Sequence, residues 1–120
     1  MLVVDDDSVL CRTVARLLVH AGASVRAATG GDQAIEIASS TAIHLLLTDV
    51  DMPGLDGFAV ARAVRKIQPR VEVVFMSGRP RDVHLAFEEG AVLVDKPFTG
   101  PFLVQTLVTA LRPAPPADDL

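Results

Sequence analysis

The chain of 120 residues has no tryptophan and no tyrosine, and its five phenylalanines are the whole aromatic content. Any core it forms is therefore aliphatic. Cysteine is nearly absent: Cys11 stands alone, which excludes an internal disulfide and suits a reducing compartment such as the cytoplasm. No apolar run approaches the roughly 18 residues needed to cross a bilayer, and no charged segment leads into an apolar one, so neither a membrane span nor secretion is expected. Positive charge is also scarce. Eleven Lys and Arg face fifteen Asp and Glu, a net charge of −4 that argues against a nucleic-acid surface.

Half of the residues are apolar, and they come in short runs. The most informative is Leu45-Leu46-Leu47-Thr48-Asp49-Val50-Asp51-Met52-Pro53-Gly54. A short apolar run closed by a turn signal reads as a strand buried on both faces. Asp49 then lies at its carboxyl end, the edge where open α/β sheets bind ligands. Met1–Val4 is a similar run that enters Asp5-Asp6-Asp7, with Asp7 or Ser8 able to cap a helix. Leu10, Val14, Leu17, Leu18 and Ala21 keep helical spacing up to Gly22. A strand over 24–28, the Gly30-Gly31 turn and a helix over 32–38 with Ala34, Ile35 and Ala38 inward follow. After the strand at 43–48, Asp56 can cap a helix with Val60, Ala61, Val64 and Ile67 inward, ended by Gln68-Pro69. A strand over 71–76 closes at Ser77-Gly78, and a helix opens at Arg79-Pro80-Arg81-Asp82 and runs to Phe87. A last strand over 91–94 precedes Asp95-Lys96-Pro97-Phe98, and Thr99 caps a final helix with Leu103, Leu107, Val108 and Leu111 inward. Five strands alternating with five helices predict an α/β fold, a (βα)5 doubly wound five-stranded parallel sheet in one domain over residues 1–112. Residues 113–120 read as a Pro-rich tail or linker.

Right-handed crossovers put all strand ends on one edge. Asp5, Asp6, Asp49, Ser77 and Lys96 would meet there. Three carboxylates close together repel, and a hard divalent cation, Mg²⁺, answers that repulsion with few protein ligands and several waters. A hydroxyl and an ammonium beside such a cation suit a phosphoryl group.

The ordered set Leu2-Val3-Val4-Asp5-Asp6-Asp7, Asp49-Val50-Asp51-Met52-Pro53-Gly54-Leu55-Asp56-Gly57, Met76-Ser77-Gly78 and Lys96-Pro97-Phe98 resembles the receiver domain of two-component response regulators, the flavodoxin-like, CheY-like fold. The resemblance covers residues 1–112. It implies that Asp49 is the phosphoacceptor, that Asp5, Asp6 and Asp49 hold Mg²⁺ together with the backbone carbonyl of Asp51, that Ser77 follows the phosphoryl group, and that Lys96 pairs with a phosphoryl oxygen. The implied donor is the phosphohistidine of a histidine kinase or a histidine phosphotransfer protein. A homodimer through the fourth helix, fifth strand and fifth helix is a further expectation, as is a signalling role rather than that of an enzyme with turnover.

Two positions depart from the family. Leu93 stands where such regulators usually carry Tyr or Phe, so the aromatic swing that accompanies switching is unavailable. Asp51 adds an acidic side chain at a variable position, and with Arg79 it forms a candidate pair across the pocket mouth that tunes hydrolysis. The Asp49-Val50-Asp51 stretch also resembles the DxD motif of haloacid-dehalogenase-type phosphatases, with Asp51 as general acid, although Pro53 replaces their usual Thr or Val. A receiver used only for binding is a further alternative, and a flavin site is disfavoured because the first strand ends in carboxylates. His20, His44 and His84 are too scattered for a metal site, Cys11 is a packing or surface residue, Phe98 and Phe102 pack the last helix, and Arg62, Arg65 and Lys66 form a solvated face. The chain fits a stand-alone regulator, part of a DNA-binding regulator, or the receiver of a hybrid histidine kinase.

Overall fold

In a computed structural model that describes residues 1–79 and 81–111, strands and helices alternate without exception. The elements are β1 (Leu2–Val4), α1 (Ser8–His20), β2 (Arg26–Ala28), α2 (Gly31–Ser40), β3 (Leu45–Asp49), α3 (Gly57–Ile67), β4 (Glu72–Ser77), α4 (Asp82–Glu88), β5 (Val92–Asp95) and α5 (Gly100–Leu111). The strands form one parallel sheet in the order β2-β1-β3-β4-β5. Chain direction along the sheet reverses between β1 and β3, which opens a crevice at their carboxyl ends. The predicted (βα)5 sheet is therefore found. The tail expected over 113–120 lies outside the described residues.

The two faces of the sheet are separate aliphatic cores. Val3, Leu45, Leu47, Val74, Met76 and Val94 point toward α1 and α5, where Val14, Leu18, Leu103 and Leu107 meet them. Leu2, Val4, Leu46, Val73 and Phe75 point the other way, against α2, α3 and α4. Alternation within each strand sends neighbouring residues to opposite cores, so Leu45-Leu46-Leu47 must be apolar throughout. Each such leucine contributes about 1.5–3 kcal/mol by leaving water.

Caps fall at the expected residues. The Asp7 carboxylate accepts from the backbone N–H of Val9 and Leu10, and that of Asp56 accepts from Ala59 N–H at 2.8 Å. Thr99 Oγ1 accepts from Phe102 N–H at 3.3 Å. Gln68 does more than end α3. Its side chain donates to Ala38 O and Thr41 O and accepts from Ile43 N–H, tying α3 to the segment that leads into β3.

Several expected inward residues face solvent. Ala21 follows the last residue of α1, and Ile67 and Leu111 occupy terminal turns and are about two-fifths exposed. Val108 and Phe102 each sit next to an inward leucine, so the 100° step of the helix turns them off the buried stripe. In α2, Ile37 rather than Ile35 packs on the core. Cys11 is a packing residue, buried between Val3 O and Ala28 O, and burial pushes its thiol pKa up. Arg62 and Arg65 pair with Glu89 at 2.9 and 3.5 Å, a rim link between α3 and the end of α4. His20, His44 and His84 are all exposed.

Candidate functional site

The carboxyl ends of β1, β3 and β5 bring Asp5, Asp6, Asp49 and Lys96 together, and Ser77 ends the neighbouring strand β4. Backbone hydrogen bonds continue the strands to the edge and fix their ends: Asp5 N–H donates to Ala28 O, Val50 N–H to Met76 O and Lys96 N–H to Ser77 O. Asp5 is buried beyond Val4, and both its oxygens are engaged. One accepts from Asp7 N–H at 3.0 Å and the other from Lys96 Nζ at 3.3 Å. Asp49 is 6% exposed and takes a second hydrogen bond from the same ammonium at 3.0 Å. Asp6 is exposed at the mouth. One carboxylate oxygen from each of Asp5, Asp6 and Asp49 lies within 4.8 Å of the other two.

The backbone of Asp49 is held as tightly as its side chain. Its carbonyl accepts from Thr48 Oγ1 at 3.0 Å, and Gly57 packs against it so closely that a Cβ there would stand 2.3 Å from that oxygen. Gly57 was visible in the sequence only as part of a motif. The physical signal was a glycine directly after a capping Asp, a poor helix former in a first turn, which points to a close approach.

The charges do not balance. Burial pushes the Asp49 carboxyl pKa up, the Lys96 hydrogen bond opposes this, and the nearby charges of Asp5 and Asp6 add to the rise. Burial alone would lower the Lys96 ammonium pKa. The hydrogen bonds and charges of Asp49 and Asp5 outweigh it, so the net direction is upward. One ammonium thus serves two carboxylates directly, with a third alongside. Hard oxygen donors at this spacing fit a divalent cation of the Mg²⁺ type.

Ser77, 2% exposed, closes β4, but its hydroxyl is already engaged by a residue that sequence reading assigned only to a helix start. Ser77 Oγ donates to Asp82 Oδ2 at 2.5 Å and accepts from Arg79 N–H at 2.9 Å. Asp82 is 1% exposed and also accepts from Arg79 Nε at 3.1 Å. The expected Asp51–Arg79 pair is present at 3.8 Å, with the Asp51 carboxylate largely in solvent. Arg79 is thus bound more closely to Asp82. The available signal was the i,i+3 spacing of Arg79 and Asp82, although Arg79 lies ahead of α4 rather than in it.

Leu93 pairs with Phe75 across β4 and β5 and is half-buried against the core that contains Ala86 of α4.

The sequence profile of the response regulator receiver domain matches residues 1–108. The chain belongs to that family. As a receiver domain it is similar to part of the transcription factor SKN7 of Candida albicans, 32% identical over 82% of this chain and 18% of SKN7. It is also similar to the aerobic respiration control protein ArcA of Escherichia coli, 32% identical over 93% of this chain and 46% of ArcA. The receiver thus spans less than half the length of either relative. Among solved structures, the receiver domain of NtrX from Brucella abortus superposes with a TM-score of 0.85 at 31% identity, over 92% of this chain and 96% of that one. A family match across both strands before β3 leaves no ground for the phosphatase reading. No described helix is long and apolar enough to cross a membrane.

Proposed function

We propose that this receiver accepts a phosphoryl group on Asp49 from the phosphohistidine of a histidine kinase or histidine phosphotransfer protein, and switches a partner surface in response. The observation that carries the reading is the buried Asp49 carboxylate, within 4.8 Å of Asp5 and Asp6 and partnered by Lys96 alone among the described cations. An Asp49 oxygen attacks phosphorus, the P–N bond to the donor imidazole breaks, and its electron pair leaves with the ring. Asp5, Asp6, Asp49 and the Asp51 carbonyl would hold Mg²⁺, which when bound offsets anionic charge as the phosphoryl group arrives. Lys96 stabilises a phosphoryl oxygen without moving far, because Asp5 already holds its ammonium beside Asp49. Ser77 follows the phosphoryl group, and the segment from Ser77 to Asp82 moves with it. Water later hydrolyses the aspartyl phosphate.

Residues 1–112 are the unit that performs this in the cytoplasm. Leu93 cannot supply an aromatic swing, so output travels through the Ser77 segment and α4. Exposed Val83, Leu85, Phe87 and Val92 suit a second receiver docking on the α4–β5–α5 face.

Intact mass spectrometry tests the reading. With acetyl phosphate and Mg²⁺ the protein gains one phosphoryl group, roughly 80 Da, and the gain disappears with EDTA or in Asp49→Asn. A gain that survives in Asp49→Asn contradicts the assignment.

A further inference from the structure

The Ser77 hydroxyl has a single proton to donate. In the resting protein that proton points at the Asp82 carboxylate, 2.5 Å away, while the only other acceptor in reach among the described residues, Arg79 O, is at the 3.5 Å limit. A phosphoryl oxygen on Asp49 would need the same proton. We propose that Asp82 is a positioning residue that holds the Ser77 hydroxyl in the resting state, so that a phosphoryl group on Asp49 must displace Asp82 before it can bond Ser77. The proposal rests on the reading of Asp49 as phosphoacceptor.

Three features make the exchange workable. Asp82 keeps the Arg79 Nε contact when Ser77 leaves, so its buried carboxylate is not stranded. Asp82 is the first residue of α4, so letting go of Ser77 frees the start of that helix. Ala86, one turn on, is buried in the same core as half-buried Leu93, which gives the release a route into the α4–β5 surface without an aromatic. The hold raises the threshold for switching: the phosphoryl group must outcompete a charge-assisted hydrogen bond rather than water.

Beryllofluoride with Mg²⁺, a mimic of the phosphoryl group on a carboxylate, is the probe. Asp82→Asn keeps the shape but removes the charge, and the half-saturating beryllofluoride concentration should fall about fivefold, the scale of charge assistance to one hydrogen bond. In a Ser77→Ala background the same substitution should change nothing. An unchanged or higher half-saturation in Asp82→Asn, or an equal shift in both backgrounds, overturns the proposal. Two measurements use the native sequence and do not depend on a variant folding. Without metal, the Ser77 hydroxyl proton should give a resolved, slowly exchanging NMR signal with a contact to Asp82, and its absence overturns the proposal whatever Asp49 does. In a crystal structure with Mg²⁺ and beryllofluoride, Ser77 Oγ should have left Asp82, and a retained contact overturns it. Failure of the native protein to bind beryllofluoride at all, with the hydroxyl signal present, would instead sink the phosphoacceptor reading.

Discussion

Two polar networks share the carboxyl edge of this sheet and differ in how their charges are matched. In the first, Asp5, Asp6 and Asp49 crowd together, and Lys96, the one described cation there, pairs with Asp5 and Asp49. In the second, Asp82 has both the Ser77 hydroxyl and the Arg79 guanidinium, and is satisfied. The first network carries more negative than positive charge, and its carboxylates could hold a divalent cation. The second is closed, with Asp82 paired on both sides. In the proposed reading a receiver uses both: a site completed by its ligands, and a neighbour whose resting bonds those ligands can break.

The comparison breaks most severely at Lys96. Lys96→Ala removes the only described cation from the first network, and phosphoryl uptake from acetyl phosphate should slow about 10²-fold, as when one preorganised donor to a developing charge is lost. Stopped uptake assays check this, and an unchanged rate would mean that Lys96 is a structural partner of Asp5.

Gly57→Ala tests the backbone under Asp49. Alanine favours a helix over glycine by about 1 kcal/mol. The added Cβ, however, would sit 2.3 Å from Asp49 O, where backbone must move. Overpacking of that kind costs about 1–3 kcal/mol, sometimes more, so the variant should be net less stable in urea and should take up less phosphoryl group.

The excess negative charge has a pH signature. Burial, with Asp5 and Asp6 nearby, raises the Asp49 carboxyl pKa in the metal-free fold. A raised folded pKa gives stability that is complete below the ordinary carboxylate range and lost as pH rises through the folded value. At pH 7 the penalty is therefore present in full. Asp49→Asn removes it, so metal-free Asp49→Asn should melt a few degrees above the native protein at pH 7, and the advantage should vanish near pH 3. A variant that is less stable at both pH values would show that the Lys96 bond outweighs the repulsion.

The smallest effect is at the rim. The Asp51–Arg79 pair is long and solvated, and such pairs are worth about 0–1 kcal/mol. Asp51→Asn should change the dephosphorylation rate by less than about fivefold. Arg79→Ala should change it more, because Arg79 also supports Asp82.

The sequence carried the first network well and the second poorly, for a physical reason. Strand ends are easy to place, because an apolar run that stops at Asp5, Asp49 or Ser77 stops at the edge of the sheet. Strand bounds moved by only a residue or two. Partners across a loop are not encoded by periodicity. Asp82 was read as helix-opening punctuation, and only the path of the chain from Ser77 to α4 turns its side chain back onto the hydroxyl. Helix ends failed similarly. Ile67 fits the spacing of α3 but falls in its last turn, and in α5 Val108 and Leu111 fit a helical spacing although only the stripe of Leu103 and Leu107 is buried. Gly57 and Gln68 do their work through contacts with remote backbone, which no local pattern announces.

The most direct test of the unequal charges is a Mg²⁺ titration followed by amide NMR, compared with Asp5→Asn. Saturable shifts confined to the backbone around 5–7 and 49–51, weakened severely in Asp5→Asn while α4 stays in place, are the result expected of a first network short of one cation and a second that is closed. No saturable shift at millimolar Mg²⁺, or shifts centred on Asp82, would contradict it.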